Sequence, residues 1–200
     1  MANTVETIVL GGSLGLVDNY GTPISAGNPL AVAIGGGTGS VATTNTGRIV
    51  THTAITRPAN ITAYAIGDLV ANSATAGLVS YPALQAARGI DLVSMLTAVT
   101  LEKSDEGDLA LGQFRVHFYN KNMVFANGDN GAWSTIADGY IGHFDITIDT
   151  TFSDFNLGRT TGQLMFAPIS GSANINWAIE ARAAYVPADS ETFRVTLEVN

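Results

Sequence analysis

Cysteine is absent from the 200 residues, which excludes a disulfide framework and a thiolate metal site and leaves stability to packing and assembly. Lysine is nearly absent too, with only Lys103 and Lys121, and the 9 basic residues face 17 acidic ones for a formal charge of -8. Binding to phosphate backbones depends on clustered Lys and Arg, so nucleic acid is not an expected partner. No apolar run approaches the ~20 residues that span a bilayer. The stretch Met1 to Glu6 carries no basic side chain and the first arginine is Arg48, so the positive n-region of a secretory signal is missing. Charged residues make up 13% of the chain against 46% hydrophobic; the surface must therefore be largely neutral, built from Thr, Ser, Asn, Ala and Gly, and suited to contact with other protein.

A chain of this length fits one domain, or one domain with an arm. Residues 1–47 stand apart: Glu6 and Asp18 are their only acidic residues and Arg48 follows them. Short apolar clusters punctuate a Gly, Thr and Ala background, at Ile8, Val9 and Leu10, at Leu14, and from Leu30 through Val32 to Ile34. These residues are the candidate partner-binding contacts of an extended N-terminal arm. The arm orders either against its own domain or against a neighbouring subunit.

From residue 48 to 200 the pattern is β. The run Gln113 to Asn120 alternates, with Phe114, Val116 and Phe118 on one face and Arg115, His117 and Tyr119 on the other, a core face and a wet face. The same period puts Ile175, Trp177, Ile179, Ala181, Ala183 and Tyr185 opposite Asn176, Glu180 and Arg182, and Phe193, Val195, Leu197 and Val199 opposite Thr192, Arg194, Thr196 and Glu198. With a turn over Val186 to Ser190, these two runs predict a closing hairpin. Further strands are expected at Ile49 to Thr56, Leu92 to Glu102, His143 to Thr150 with Phe144, Ile146 and Ile148 inward, and Leu164 to Ile169. Tyr81 to Arg88 suits a helical turn. Many short strands separated by turn signals predict an all-β antiparallel sandwich or jelly-roll-like domain.

Residues of a type that carries chemistry are few. Gly35 to Ser40 is glycine-rich but lacks the lysine of a P-loop and a following helix, and reads as a loop. His52, His117 and His143 lack zinc-helix spacing, although His117 and His143 would converge if their strands are neighbours. Asp105, Glu106 and Asp108, and then Asp145, Asp149 and Asp154, are the acidic clusters; a glycosidase would need two of them converging in a cleft. Asn127 to Gly131 is a double turn without the spacing of a calcium loop. No nucleophile elbow or zinc-protease signature is present. Trp133 and Tyr140 are placed to stack on sugars if exposed, and Trp133 is a candidate partner contact, whereas Trp177 lies on a core parity. The chain is expected to be no enzyme, with no cofactor and no metal.

One motif remains. In Arg57-Pro58-Ala59-Asn60-Ile61-Thr62-Ala63-Tyr64-Ala65-Ile66-Gly67-Asp68, proline removes a backbone donor and fixes φ, so a strand must end there or lie at a sheet edge. A turn follows, and Gly67-Asp68 opens another apolar run. Arg57, Pro58, Tyr64, Gly67 and Asp68 are thus structural candidates. This run, the segment Val116 to Asn120 leading to Ala126 to Trp133, and the tail Ala181 to Ala188 together resemble small virion proteins of tailed bacteriophages. That resemblance implies a capsid decoration or cement protein, made in the host cytoplasm and carried on the outer surface of the head. Its partner would be the major capsid protein, and it would act as a homo-oligomer, with a trimer matching local threefold positions. A carbohydrate-binding or receptor-binding β module on a tail or fibre is the competing expectation, and a glycoside hydrolase the third.

Overall fold

The computed structural model describes the backbone of four short strands before residue 47, and residues 49–104, 112–134 and 137–200. The chain divides into two units, Met1–Thr46 and Gly47–Asn200. In the first, β1 (Thr7–Leu10) pairs antiparallel with β2 (Ser13–Leu16), and β3 (Val32–Ile34) with β4 (Gly37–Gly39). Ile8, Val9, Leu10, Leu14, Val32 and Ile34 therefore lie on short paired strands, and Leu30 lies outside the described residues. Part of the glycine-rich segment, Gly37–Gly39, is strand.

The second unit is built from β5 (Ile49–Thr56), β6 (Leu69–Val70), β7 (Leu84–Gln85), β8 (Ser94–Ser104), β9 (Gln113–Tyr119), β10 (Tyr140–Thr147), β11 (Thr150–Thr151), β12 (Phe155–Phe166), β13 (Asn174–Ala181) and β14 (Thr192–Val199). They form two antiparallel sheets: one in the order β10-β9-β13-β6 with β7 also on β13, the other in the order β11-β12-β8-β14-β5. Along β5, β6, β8, β9, β10, β12, β13 and β14 the chain crosses from sheet to sheet at each step except β9 to β10, which pair directly. The architecture is the antiparallel β-sandwich that the alternating sequence predicts.

Alternation explains the core. Phe114, Val116 and Phe118 of β9, Phe144 and Ile146 of β10, and Ile175, Trp177 and Ile179 of β13 meet Ile55, Leu96, Val99, Leu101, Phe193, Val195 and Leu197 of the facing sheet in one buried cluster. In β8 the inward parity changes between Leu96 and Val99, where the pairing registers of both neighbours slip near Thr161 and Val199. A bulge of this kind lets an uneven sequence spacing face one core.

Three expectations are corrected. Val186 to Ser190 is not a hairpin turn, because β13 and β14 belong to different sheets and the segment arches between them. Tyr81 to Arg88 makes no helical turn: it is extended, with β7 inside it, and a short 3-10 turn lies earlier at Ala76–Leu78. The strand expected at Leu164 to Ile169 is the end of β12, which begins at Phe155. Thr and Gly between these points dilute the apolar signal without breaking the strand.

The outer face of β13 is also not wet as expected, since Asn176 and Glu180 are both buried. A second cluster, Leu69, Ala71, Phe125 and Ala178 with Val79, Tyr81, Met123 and Trp133 packed on it, roofs that face. The roof comes from the segments after β6 and after β9. No helix among the described residues is long and apolar enough to cross a membrane.

Candidate functional site

β5 stops at Thr56 on the edge of its sheet, and Arg57-Pro58 turns the chain away. Arg57 is buried and binds through three of its nitrogens. Its Nη2 meets Asp129 Oδ2 at 3.0 Å, its Nε donates to the Tyr64 hydroxyl, and its Nη1 reaches the Ala188 carbonyl at 3.3 Å. Asp129 Oδ1 in turn accepts from Tyr64 Oη at 2.5 Å and from the Ala71 amide at 2.8 Å. Burial and the Asp129 carboxylate push the Tyr64 phenol far above its ordinary range, so it stays a proton donor.

The Tyr64 ring lies under the Arg57 guanidinium at 4.7 Å and stacks on Tyr185 with centroids 5.6 Å apart. Lys103, buried at the end of β8, sits 5.1 Å over the other aromatic partner, Tyr185, and pairs with Glu191 at 3.1 Å. Tyr64 and Tyr185 also form a backbone bridge, as do Asp68 and Ala132.

Gly67 completes the loop with φ +88, a conformation that a side chain resists, while its amide donates to Ala181 O at 2.8 Å and its carbonyl accepts from Trp133 at 2.6 Å. Asp68 Oδ2 closes the turn on the Ala65 amide at 2.6 Å. Asn130 Nδ2 ties the other side to the carbonyls of Thr62 and Ala63 at 2.9 and 3.0 Å. The Arg57 to Asp68 run, the Ala126 to Trp133 segment and the Ala181 to Ala188 tail, far apart in the chain, thus form one knot. The double turn is spent on this knot: its Asp129 carboxylate holds Arg57 and Tyr64.

A second assembly lies on the outer face of the β10-β9-β13 sheet. A concavity of about 420 Å³ is lined by Arg115, His117, Tyr119, Trp133, Ala137, Tyr140, Glu180 and Arg182. His117 stacks on Trp133, with centroids 4.2 Å apart and planes within 10°, and its Nε2 lies 2.9 Å from Glu180 Oε2. Burial lowers the His117 pKa to about 4 despite that carboxylate, so the ring is neutral at pH 7 and Nε2 carries the proton toward Glu180. Its Nδ1 is then a buried acceptor with no hydrogen-bond partner among the described residues.

Arg115 binds Asp145 through Nε and Nη2 at 2.6 and 2.9 Å, and that pairing holds the Asp145 carboxyl below its usual range. Arg182 Nη1 meets Glu180 Oε1 at 2.8 Å. His143 bonds the Tyr140 hydroxyl at 2.7 Å through Nδ1, and the partial burial of its ring lowers its pKa. Tyr140 is 42% exposed and leans on Tyr119 with centroids 5.3 Å apart.

The sequence reading is thus revised at several positions. His117 and His143 are direct register partners on β9 and β10, but His117 is buried against Trp133 and not solvated. His52 is on β5 of the other sheet, and no group of three metal-ligating side chains occurs among the described residues. Asp105, Glu106 and Asp108 lie outside the described residues. Asp145 is committed to Arg115 and Asp149 lies past the end of β10. Trp177 is fully buried and donates its indole N–H to Pro82 O at 2.8 Å. The residues missed were Arg115, Tyr119, Glu180 and Arg182. Their signal was the outward parity of two strands, Arg115-x-His117-x-Tyr119 and Glu180-x-Arg182, which meet only once β9 and β13 are known to be neighbours.

No protein-family model matches the chain, and no curated protein matches it. Among solved structures it is similar to one described as the "Cyanophage Pam1 capsid asymmetric unit", over 88% of this chain and 95% of that chain, at 14% identity and a TM-score of 0.32. A likeness that slight bears weight for neither fold nor function.

Proposed function

We propose that this chain is a virion structural protein of a tailed phage, of the decoration or cement type, which binds the outer surface of the head and stabilises contacts between major capsid subunits. It works by binding alone, without turnover, and as a homo-oligomer, with a trimer suiting local threefold positions. The observation that supports this most is the knot around Arg57, Tyr64 and Asp129. The three stretches that resemble small phage virion proteins are the three that interlock there, so the resemblance follows one structural unit and not scattered coincidences.

Charge and surface agree with an external position. A chain of formal charge -8 with two lysines is repelled by packaged genome. Close in the chain to the bridged Tyr64 and Tyr185, the side chains of Ile61, Ile66 and Val186 are each about half exposed or more. Large apolar side chains held on rigid loops lose little entropy when a partner covers them, and repeated copies on a shell add avidity. The sandwich, with most connections crossing between its sheets, gives those loops a stiff support.

The test is attachment to purified empty heads, followed by heating. Co-sedimentation with shells and a higher rupture temperature of the decorated particles are the expected results. Shells that neither retain the protein nor gain resistance, or protein found inside the particle with the genome, would overturn the reading.

A further inference from the structure

We propose that the concavity on the outer face of the β10-β9-β13 sheet is a binding site for an uncharged sugar residue of a glycan, with Trp133, Tyr140 and His117 as the stacking and hydrogen-bonding surface. The inference is independent of attachment to a head and would survive the failure of that reading.

At about 420 Å³ the cavity falls in the range of ~300–1,000 Å³ typical of small-ligand sites. Its aromatic rings are preset by one another and not by a ligand. Trp133 lies on His117, and His117 is 5.9 Å from both Tyr140 and His143, centroid to centroid. Rings already held in place present apolar surface at small entropic cost.

Charge selects the ligand class. Arg115 is spent on Asp145 and Arg182 on Glu180, so the ionised groups of the site cancel in pairs. An anionic ligand would meet the carboxylates of Asp145 and Glu180 beside each guanidinium, and a cation would meet the two guanidinium groups. The lining offers donors and acceptors beside the rings: the unpartnered Nδ1 of His117 as acceptor, carboxylate lone pairs of Glu180, and the remaining N–H groups of the two arginines. A hydroxyl both donates and accepts, so a polyhydroxylated ring satisfies such a mixed set with several bonds at once. The buried Nδ1 lone pair gains most, because an unmet buried acceptor costs free energy that a hydroxyl donor recovers.

The experiment is titration of the full chain with laminarihexaose, maltohexaose and chitohexaose, and with a heparin hexasaccharide as the anionic probe, read by tryptophan fluorescence and by calorimetry. Trp177 is fully buried, so a change in emission reports on Trp133. Saturable binding of at least one neutral oligosaccharide is expected, weakened by about tenfold or more in Tyr140→Ala with unchanged thermal melting, and lost in Trp133→Ala. Tyr140 stands at the exposed rim and its variant keeps the fold testable. Absence of binding by every neutral probe, preference for the heparin fragment, or binding untouched by both substitutions would each overturn the proposal.

Discussion

Asp129 accepts hydrogen bonds from Arg57, Tyr64 and the Ala71 amide, and its side chain is 1% exposed. Removing it leaves a guanidinium buried without its counter-ion, a loss of roughly 3–5 kcal/mol. Asp129→Ala should therefore lower the unfolding free energy measured by chemical denaturation by that amount, and a change within experimental error would show that the knot does not hold the domain. His117 makes a pH prediction. Its pKa falls to about 4 in the folded protein, against ~6.5 in the unfolded chain. Between those values the unfolded state binds the extra proton, so stability is full above pH ~6.5 and declines as the pH falls toward 4. The contribution is about 3 kcal/mol, and His117→Phe should flatten that part of a stability-against-pH curve. Gly67, at φ +88 with Glu180 Oε1 4.0 Å from where a Cβ would stand, should tolerate alanine sterically yet lose about 1–2 kcal/mol to backbone strain.

Between elements, the seam where β10 and β12 approach from opposite sheets depends on Gly158. A Cβ there would sit 2.0 Å from the Thr147 carbonyl oxygen, and the neighbouring Thr160 hydroxyl donates across the seam to Asp145 O at 2.7 Å. Gly158→Ala should push the two strands apart at a cost of about 1–3 kcal/mol, measurable by chemical denaturation and by faster amide exchange in β10. Strands were readable in the sequence wherever one face is core and the other polar, as in β9 and β14, because alternation then maps directly onto burial. Legibility failed for two physical reasons. Pairing is a property of two strands, so the periodic runs of β13 and β14 could not reveal that they lie in different sheets. And a face judged wet becomes buried when distant loops roof it, which is how His117, Asn176 and Glu180 were misjudged. The Arg57 run was legible as turn chemistry, while its electrostatic partner, Asp129, lies 72 positions away with no local pattern to announce it.

At the scale of the whole molecule, the unit Gly47–Asn200 has its own core. Deleting residues 1–46 should leave its melting transition in place while weakening attachment to purified shells; undiminished attachment would remove any role for that segment in binding. The order of assembly follows from where β14 lies, inserted between β5 and β8. β5 emerges early and has no described strand partner other than β14, whose pairing joins Ile49 to Val199 and Thr56 to Thr192. A ribosome that has delivered everything up to residue 191 has therefore made a sheet split down the middle, with β5 and β8 each waiting for the same missing neighbour. Loop closures this long are slow and expose bare strand edges meanwhile. The domain is thus committed to folding in one late, cooperative step, and a chain truncated before Thr192 should be recovered as aggregate and not as a shorter, working protein.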